Sequence, residues 1–197
     1  MIIYSHVKIS NMRITKVYTK FGDGGKTYLA DGTVVSKSHP LVSSYGEVDE
    51  LNSFLGLLRA ELSPELKELD DLLREIQNDM FKLGADLATP LSAKFQINRV
   101  SENDVKKLEE LIDSYNSHLK PLEEFILPSG CKESALFHIC RTICRRAERE
   151  LVRAMESGIE ININVQIYLN RLSDLFFVLA RWCNYKKGIK EEGATFK

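Results

Sequence analysis

No apolar run in the 197 residues approaches the roughly 20 needed for a helix to cross a bilayer. A membrane-spanning helix is therefore not expected. Net charge is nearly absent: 27 Lys and Arg against 28 Asp and Glu leave −1, so no overall field draws the chain onto nucleic acid or an anionic membrane. Cysteine is scarce, with Cys131, Cys140, Cys144 and Cys183 and no CxxC pair, which removes the commonest zinc and dithiol spacings. Cys140 and Cys144 lie one helical turn apart, where a free thiol serves as a small hydrophobe. His138 is near them but projects toward a polar arc, so a shared His/Cys ligand set would need distorted geometry. The Glu-x-x-His pair of di-iron bundles is missing. A P-loop is missing too: the glycine required five positions before Gly25-Lys26 is replaced by Lys20, and Tyr28-Leu29-Ala30-Asp31-Gly32 heads into a turn instead of a helix. The opening MIIYSHVKISNMR has no secretory order of charge, apolar stretch and cleavage site, so the expected location is cytoplasmic. Without repeats, low-complexity segments or a linker, one domain over 13–190 is expected, with an N-terminal extension (1–12) and a C-terminal tail (191–197). Met12 is an alternative start.

What is present is helical periodicity. The stretch from Ser129 to Gly158 sets Leu136, Ile139, Ile143, Ala147, Leu151 and Met155 at three- and four-residue steps, the spacing of one buried face. Its other side carries Arg141, Arg145, Arg146, Arg149 and Arg153, with Glu148 at the edge. Guanidinium forks in a row suit a polyanion such as a triphosphate. The same row also reads as a solvated face laced with Glu–Arg pairs. Further helices are expected from about Ser43 to Leu62, from Ser63-Pro64 to about Ala88 with Ser63 as N-cap, from Ser101 with Asp104 to about Ser117, and from about Asn164 to Lys187. In the first of these Asp49, Asn52, Ser53 and Gly56 form a small polar stripe suited to close approach by a partner helix or ligand. In the last, Asn170, Asp174 and Arg181 share a polar side near Phe177, opposite buried Tyr168, Leu172, Leu175, Phe176, Leu179 and Cys183.

Residues 13–40 hold Gly22, Gly24, Gly25 and Gly32 among short β-prone pieces and read as loop and hairpin. With Lys20, Lys26 and two hydroxyls, this loop either wraps phosphates through backbone N–H groups or is an ordinary glycine turn. Phe125-Ile126-Leu127-Pro128, ahead of the arginine helix, either plugs the core or faces a ligand, and Phe196 in the tail fits no helix pattern. The fold class is all-α: a five-helix bundle with a glycine-rich N-terminal loop segment.

Five blocks carry a family resemblance in order: Thr19-Lys20-x-Gly22-Asp23-x-Gly25-x-Thr27, Tyr45-Gly46-x-Val48-Asp49-Glu50-Leu51-Asn52-Ser53, Phe125-Ile126-Leu127-Pro128, Arg141-Thr142-x-Cys144-Arg145-Arg146-Ala147-Glu148-Arg149, and Tyr168-Leu169-Asn170-Arg171-Leu172-Ser173-Asp174. The chain resembles the PduO-type ATP:cob(I)alamin adenosyltransferases. The resemblance implies the family's five-helix bundle, assembled as a homotrimer with ATP, as its Mg2+ complex, and the corrinoid bound between subunits. It implies transfer of the 5′-deoxyadenosyl group from ATP to cob(I)alamin, giving adenosylcobalamin and triphosphate. A cobalamin reductase and an adenosylcobalamin-dependent enzyme are the implied partners. ATP is expected at Thr19, Lys20, Gly22, Asp23, Gly25, Lys26, Thr27, Lys37, Arg145, Arg146, Glu148, Arg149 and Asn170, and the corrinoid at Phe125, Asp174, Phe177 and Phe196. By the same resemblance Arg145, Phe125, Asp49 and Arg141 are the catalytic set. Asp49 and Arg141 pair across the interface, and Phe125 shields the lower face of cobalt. No metal ligand is assigned. Phe21, Val34 and Ser129 depart from the family's threonine, arginine and glycine. Two alternatives are a non-catalytic corrinoid or nucleotide carrier of the same fold, and an RNA-binding module, which lacks stacking aromatics among its arginines.

Overall fold

A computed structural model describes Tyr18 and residues 20–196. Helix α1 spans Pro40–Ala60, beginning earlier than its apolar period suggests. The reason is local: His39 Nδ1 accepts from the Leu41 N–H at 3.2 Å, and Pro40 fills the first helical position, where a missing N–H costs nothing. Ser63 makes no cap bond. Pro64–Leu66 is a separate 3-10 turn, and α2 runs Leu69–Ala88. Helix α3, Glu102–Asn116, opens as expected, with the Asp104 carboxylate accepting the Ser101 N–H at 2.8 Å. Helices α4, Lys132–Glu156, and α5, Ile163–Lys186, complete the bundle. A small antiparallel hairpin precedes it, β1 (Lys26–Tyr28) against β2 (Val34–Ser36), with Thr27 opposite Val35.

Helix α4 packs between α5 and α1, α2 lies on α1, and α3 lies on α5. Being gripped from two sides, α4 buries a wider arc than the single apolar face expected, and the arc is turned by about one residue. Phe137, Cys140, Ile143, Cys144, Ala147, Leu151 and Ala154 are buried, Leu136 and Met155 are only partly so, and Ile139 is 42% exposed. His138, expected on the polar arc, is buried with its ring 6.0 Å from that of Phe177. On α5 the expected core residues are buried, but Arg181 is buried beside them, its charge matched by Glu191 at 2.8 Å. The polar stripe of α1 is divided. Asn52 is buried, its carbonyl accepting from Gln77 Nε2 at 3.1 Å, while Asp49 and Ser53 stay exposed.

Two polar anchors fix the frame. Buried Asp86 accepts from Arg99 Nη1 at 2.5 Å, Val100 N at 2.8 Å and Asn162 Nδ2 at 2.7 Å, joining the end of α2 to the entry of α5. Buried Tyr168 donates to Asp79 at 2.7 Å, so its hydroxyl is not stranded in the core. Among the described residues no helix is long and apolar enough to cross a membrane.

Candidate functional site

The antiparallel seam of α4 and α5 orders the predicted residues along one line. At one end Asn170 Nδ2 donates to Glu148 at 3.0 Å, and Arg171, itself bound to Glu109, donates to Asn170 Oδ1 at 3.0 Å. Glu148 is thereby oriented from α5. Arg145 is exposed and makes no ion pair among the described residues, and Arg149 only reaches the Arg145 carbonyl, at 3.3 Å. These two guanidinium groups keep most of their donors free. Arg146 differs, because Glu47 at 2.6 Å and Glu50, both from α1, engage it. Those two carboxylates raise its pKa further, so its charge is already matched within the chain. Arg153 is bound by Glu150.

One turn toward the start of α4, Arg141 is half-buried and its Nε has no partner among the described residues. Burial, with Arg145 beside it, pushes its pKa down, which marks a charge short of a counter-ion. Asp49, the expected counter-ion, lies exposed on α1 and pairs with no residue described in the chain. His138 follows, its Nδ1 also buried and unpartnered; burial first, then Arg141, lowers its pKa to about 4, so it is neutral at neutral pH. On α5 the seam continues through exposed Asp174, whose carboxyl desolvation holds above the ordinary range, and half-buried Phe177.

The seam ends in an aromatic pair. Phe125 is 76% exposed and Phe196 82% exposed, and their rings meet edge to face at 6.2 Å. What brings them together is backbone pairing: Leu127 N donates to the Glu192 carbonyl at 2.8 Å and Ala194 N to the Phe125 carbonyl at 2.7 Å, around a bridge between Ile126 and Gly193. The Glu124 carboxylate lies over Gly193, where a Cβ would sit 2.1 Å from its Oε1. Of the two readings of the Phe125–Pro128 run, the core plug does not fit, because Phe125 and Leu127 are exposed.

The glycine loop forms a 3-10 turn over Phe21–Gly24, with Lys20 at φ 63° and Gly25 at φ 74°. Lys37 folds back over it. Its N–H donates to the Gly25 carbonyl at 2.8 Å, and its Nζ lies 3.0 Å from where a Cβ on Gly22 would be. Lys20, Gly22, Asp23, Gly25, Lys26 and Lys37 thus share one loop surface, and all three lysines on it are exposed. Thr27 hydrogen-bonds Tyr45 of α1, and Ala30 N donates to the Ala88 carbonyl at 2.8 Å. No hydrogen bond or ion pair among the described residues joins this loop to α4. Thr19 lies outside the described residues. No cluster of three metal-ligating side chains occurs among those described.

Two supporting residues escaped the sequence reading. Buried Asn184 of α5 accepts from Cys131 N at 2.9 Å and donates to the Ser129 carbonyl at 3.1 Å, pinning the turn between Phe125 and α4. Gly130 at φ 109° closes on it so tightly that a Cβ would lie 2.1 Å from Asn184 Oδ1. Glu133, fully buried, accepts from Lys187 Nζ at 2.8 Å and from Ser63 N at 3.1 Å. Its position in the first turn of α4 was a readable signal, because a carboxylate there complements the helix dipole.

The family model described as cobalamin adenosyltransferase matches residues 17–183. A corrinoid adenosyltransferase of Bacillus subtilis is 47% identical over 176 residues, covering 88% of this chain and 89% of that one. A human corrinoid adenosyltransferase is 39% identical over 184 residues, covering 91% and 73%. Among solved structures, a variant PduO-type ATP:corrinoid adenosyltransferase from Lactobacillus reuteri, complexed with cobalamin and ATP, superposes with a TM-score of 0.87 at 39% identity, covering 91% of this chain and 96% of that one. Matched over most of its length by sequence and by fold, the chain belongs to the cobalamin adenosyltransferase family.

Proposed function

We infer that the protein transfers the 5′-deoxyadenosyl group of ATP to cob(I)alamin, releasing triphosphate. The supporting observation is the seam itself, on which free guanidinium groups of Arg145 and Arg149 stand at one end and the bare Phe125–Phe196 pair at the other. Cob(I)alamin is a strong nucleophile and attacks C5′ in line, so no side chain need form a covalent bond. The protein has two tasks, alignment and charge stabilisation. As the C5′–O bond breaks, negative charge grows on the triphosphate. Preorganised guanidinium donors stabilise that charge more than they do the ground state. Arg145 and Arg149 take this role, while Glu148, held by Asn170, orients the nucleoside end. Phe125 and Phe196 offer apolar faces that exclude water from one side of the corrinoid.

The site is shared between subunits of a homotrimer in this reading. Two observations support it: among the described residues no hydrogen bond or ion pair joins the glycine loop to the arginine row within one chain, and Asp49 and Arg141 each lack a partner there. The loop of one subunit, with Lys20, Lys26 and Lys37, then closes on the triphosphate held by the next. Arg146 serves that arrangement indirectly, by tying α4 to α1. A divalent cation, Mg2+, arrives with the nucleotide as its charge partner. The location is the cytoplasm, and a cobalamin reductase supplies the reduced substrate. Incubation with ATP, Mg2+ and chemically reduced cob(I)alamin, followed by absorbance, tests the reaction. Conversion to the adenosylcobalamin spectrum with stoichiometric triphosphate is expected, and ligand uptake without conversion would favour a carrier.

A further inference from the structure

All four cysteines are free and buried. Cys131 stands at the N-cap of α4 and Cys183 lies on α5, one residue before Asn184, and their thiols are hydrogen-bonded. The Asn184 bonds to Cys131 N and the Ser129 carbonyl hold the two backbones in register. We propose that Cys131 and Cys183 form a reversible disulfide, a redox-sensitive clasp beneath the Phe125–Gly130 segment.

The two thiols have unequal roles. Cys131 keeps 8% of its surface open, Cys183 none, so Cys131 meets an oxidant first. The Cys183 hydrogen bond, and then the Ser134 backbone N–H in the first turn of α4, favour the Cys131 thiolate over the opposing effect of burial and lower its pKa to about 7; Cys183, as donor of that bond, is pushed up. Cys140 and Cys144, by contrast, are buried in the core, and burial raises both pKa values, that of Cys140 to about 12.

The oxidant is a low-molecular-weight disulfide. The Cys131 thiolate attacks one of its sulfurs, forming a mixed disulfide and expelling the other half as a thiolate. Cys183 gives its proton to that thiolate, and its Sγ then displaces the remaining half from Cys131. Two protein thiols become one disulfide while the reagent is reduced to two thiols, a two-electron exchange. The clasp ties the start of α4 to α5. Its bearing on the corrinoid rests on the function proposed above; its formation does not.

Oxidised glutathione is the probe. After exposure and alkylation of the unfolded protein, peptide mapping should show one cross-link between Cys131 and Cys183, with Cys140 and Cys144 alkylated, reversed by dithiothreitol. Amide exchange over 125–131 should slow in the oxidised protein. With Cys183→Ala, glutathione should remain on Cys131, because nothing displaces it. Full alkylation of Cys131 and Cys183 in the wild-type protein after oxidation, or a cross-link to Cys140 or Cys144 instead, would overturn the proposal, and neither result depends on whether the variant folds.

Discussion

The rings of Phe125 and Phe196 meet at right angles although 70 residues of chain separate them, and the segment that delivers Phe196 is held to Phe125 by main-chain hydrogen bonds on both sides of it. Side chains at this contact can therefore be removed without unseating the backbone. Phe125→Ala should leave ATP binding nearly unchanged but open one side of the corrinoid to water. The measurement is the spectrum of cob(II)alamin bound in the presence of ATP. A four-coordinate population equal to that of the wild type would refute the role. Phe196→Ala should show a weaker loss of the same kind.

Arg145 and Arg146 are neighbours with different employment. Losing one transition-state contact to a developing charge costs about 2 to 4 kcal/mol, so Arg145→Ala should lower turnover at saturating ATP by about two to three decades. Arg146→Ala breaks the pairs with Glu47 and Glu50, which are half-exposed and screened, and should cost about 1 kcal/mol of stability. Steady-state kinetics beside denaturant midpoints separate the two effects.

Under the proposed inter-subunit pairing, Asp49→Asn and Arg141→Ala should each impair assembly or catalysis strongly, since removing one member of a partly buried pair leaves the other uncompensated at about 3 to 5 kcal/mol. In the proposed homotrimer, mixed assemblies of the two variants contain some interfaces with an intact Asp49 and an intact Arg141. Co-refolding should therefore restore activity above that of either variant alone. Demonstrated mixed trimers without rescue would place the pair within one chain or abolish it.

Glu133 gives a pH signature of folding. Burial opposes its ionisation, but hydrogen bonds from Lys187 and from backbone N–H groups prevail and lower its pKa from 4.5 to about 2. With the folded value below the unfolded one, its contribution is complete above about pH 4.5 and is lost as pH falls toward about 2. Stability measured by denaturant should fall through that window, and Glu133→Gln should be less stable at neutral pH with a flatter acid limb. An unchanged limb would show that other carboxylates govern acid unfolding.

Gly130→Ala should destabilise the protein and blunt corrinoid binding together. It forces a side chain into a left-handed conformation, costing about 1 to 3 kcal/mol, and drives a Cβ into Asn184. Calorimetry and corrinoid titration check the two effects on one sample.

Much of this architecture is written locally. The α3 cap at Ser101 and Asp104, the end of α2 at Ala88 and the buried positions of α5 follow from spacing and capping chemistry, because each depends on residues within a few turns. The arginine row was legible as a row. Its division of labour was not, since only the fold brings Glu47 and Glu50 to Arg146 and leaves Arg145 free. The buried face of α4 was misjudged for a similar reason: Ile139 has the right period for one partner, but two helices press on α4 and rotate the arc onto Phe137 and Cys140. The pairing of the tail with residues 125–127 has no local pattern to betray it, because an isolated bridge needs no alternation. Asn184 acts on a distant turn and carries no motif, and Glu133 signals only its place in the first turn of α4, not its distant partners.

That bridge also dates the moment at which the proposed corrinoid end is finished. Ribosomes deliver chain from the N-terminus, so α4, α5 and the arginine row emerge before the strand around Gly193 can close over Ile126. A nascent or prematurely terminated chain would hold the arginine row proposed to face the nucleotide yet leave Phe125 alone at the other end. For the same reason a purification tag fused just beyond Phe196 crowds the pairing that positions it, whereas one attached ahead of Tyr18 sits far along the chain from that contact.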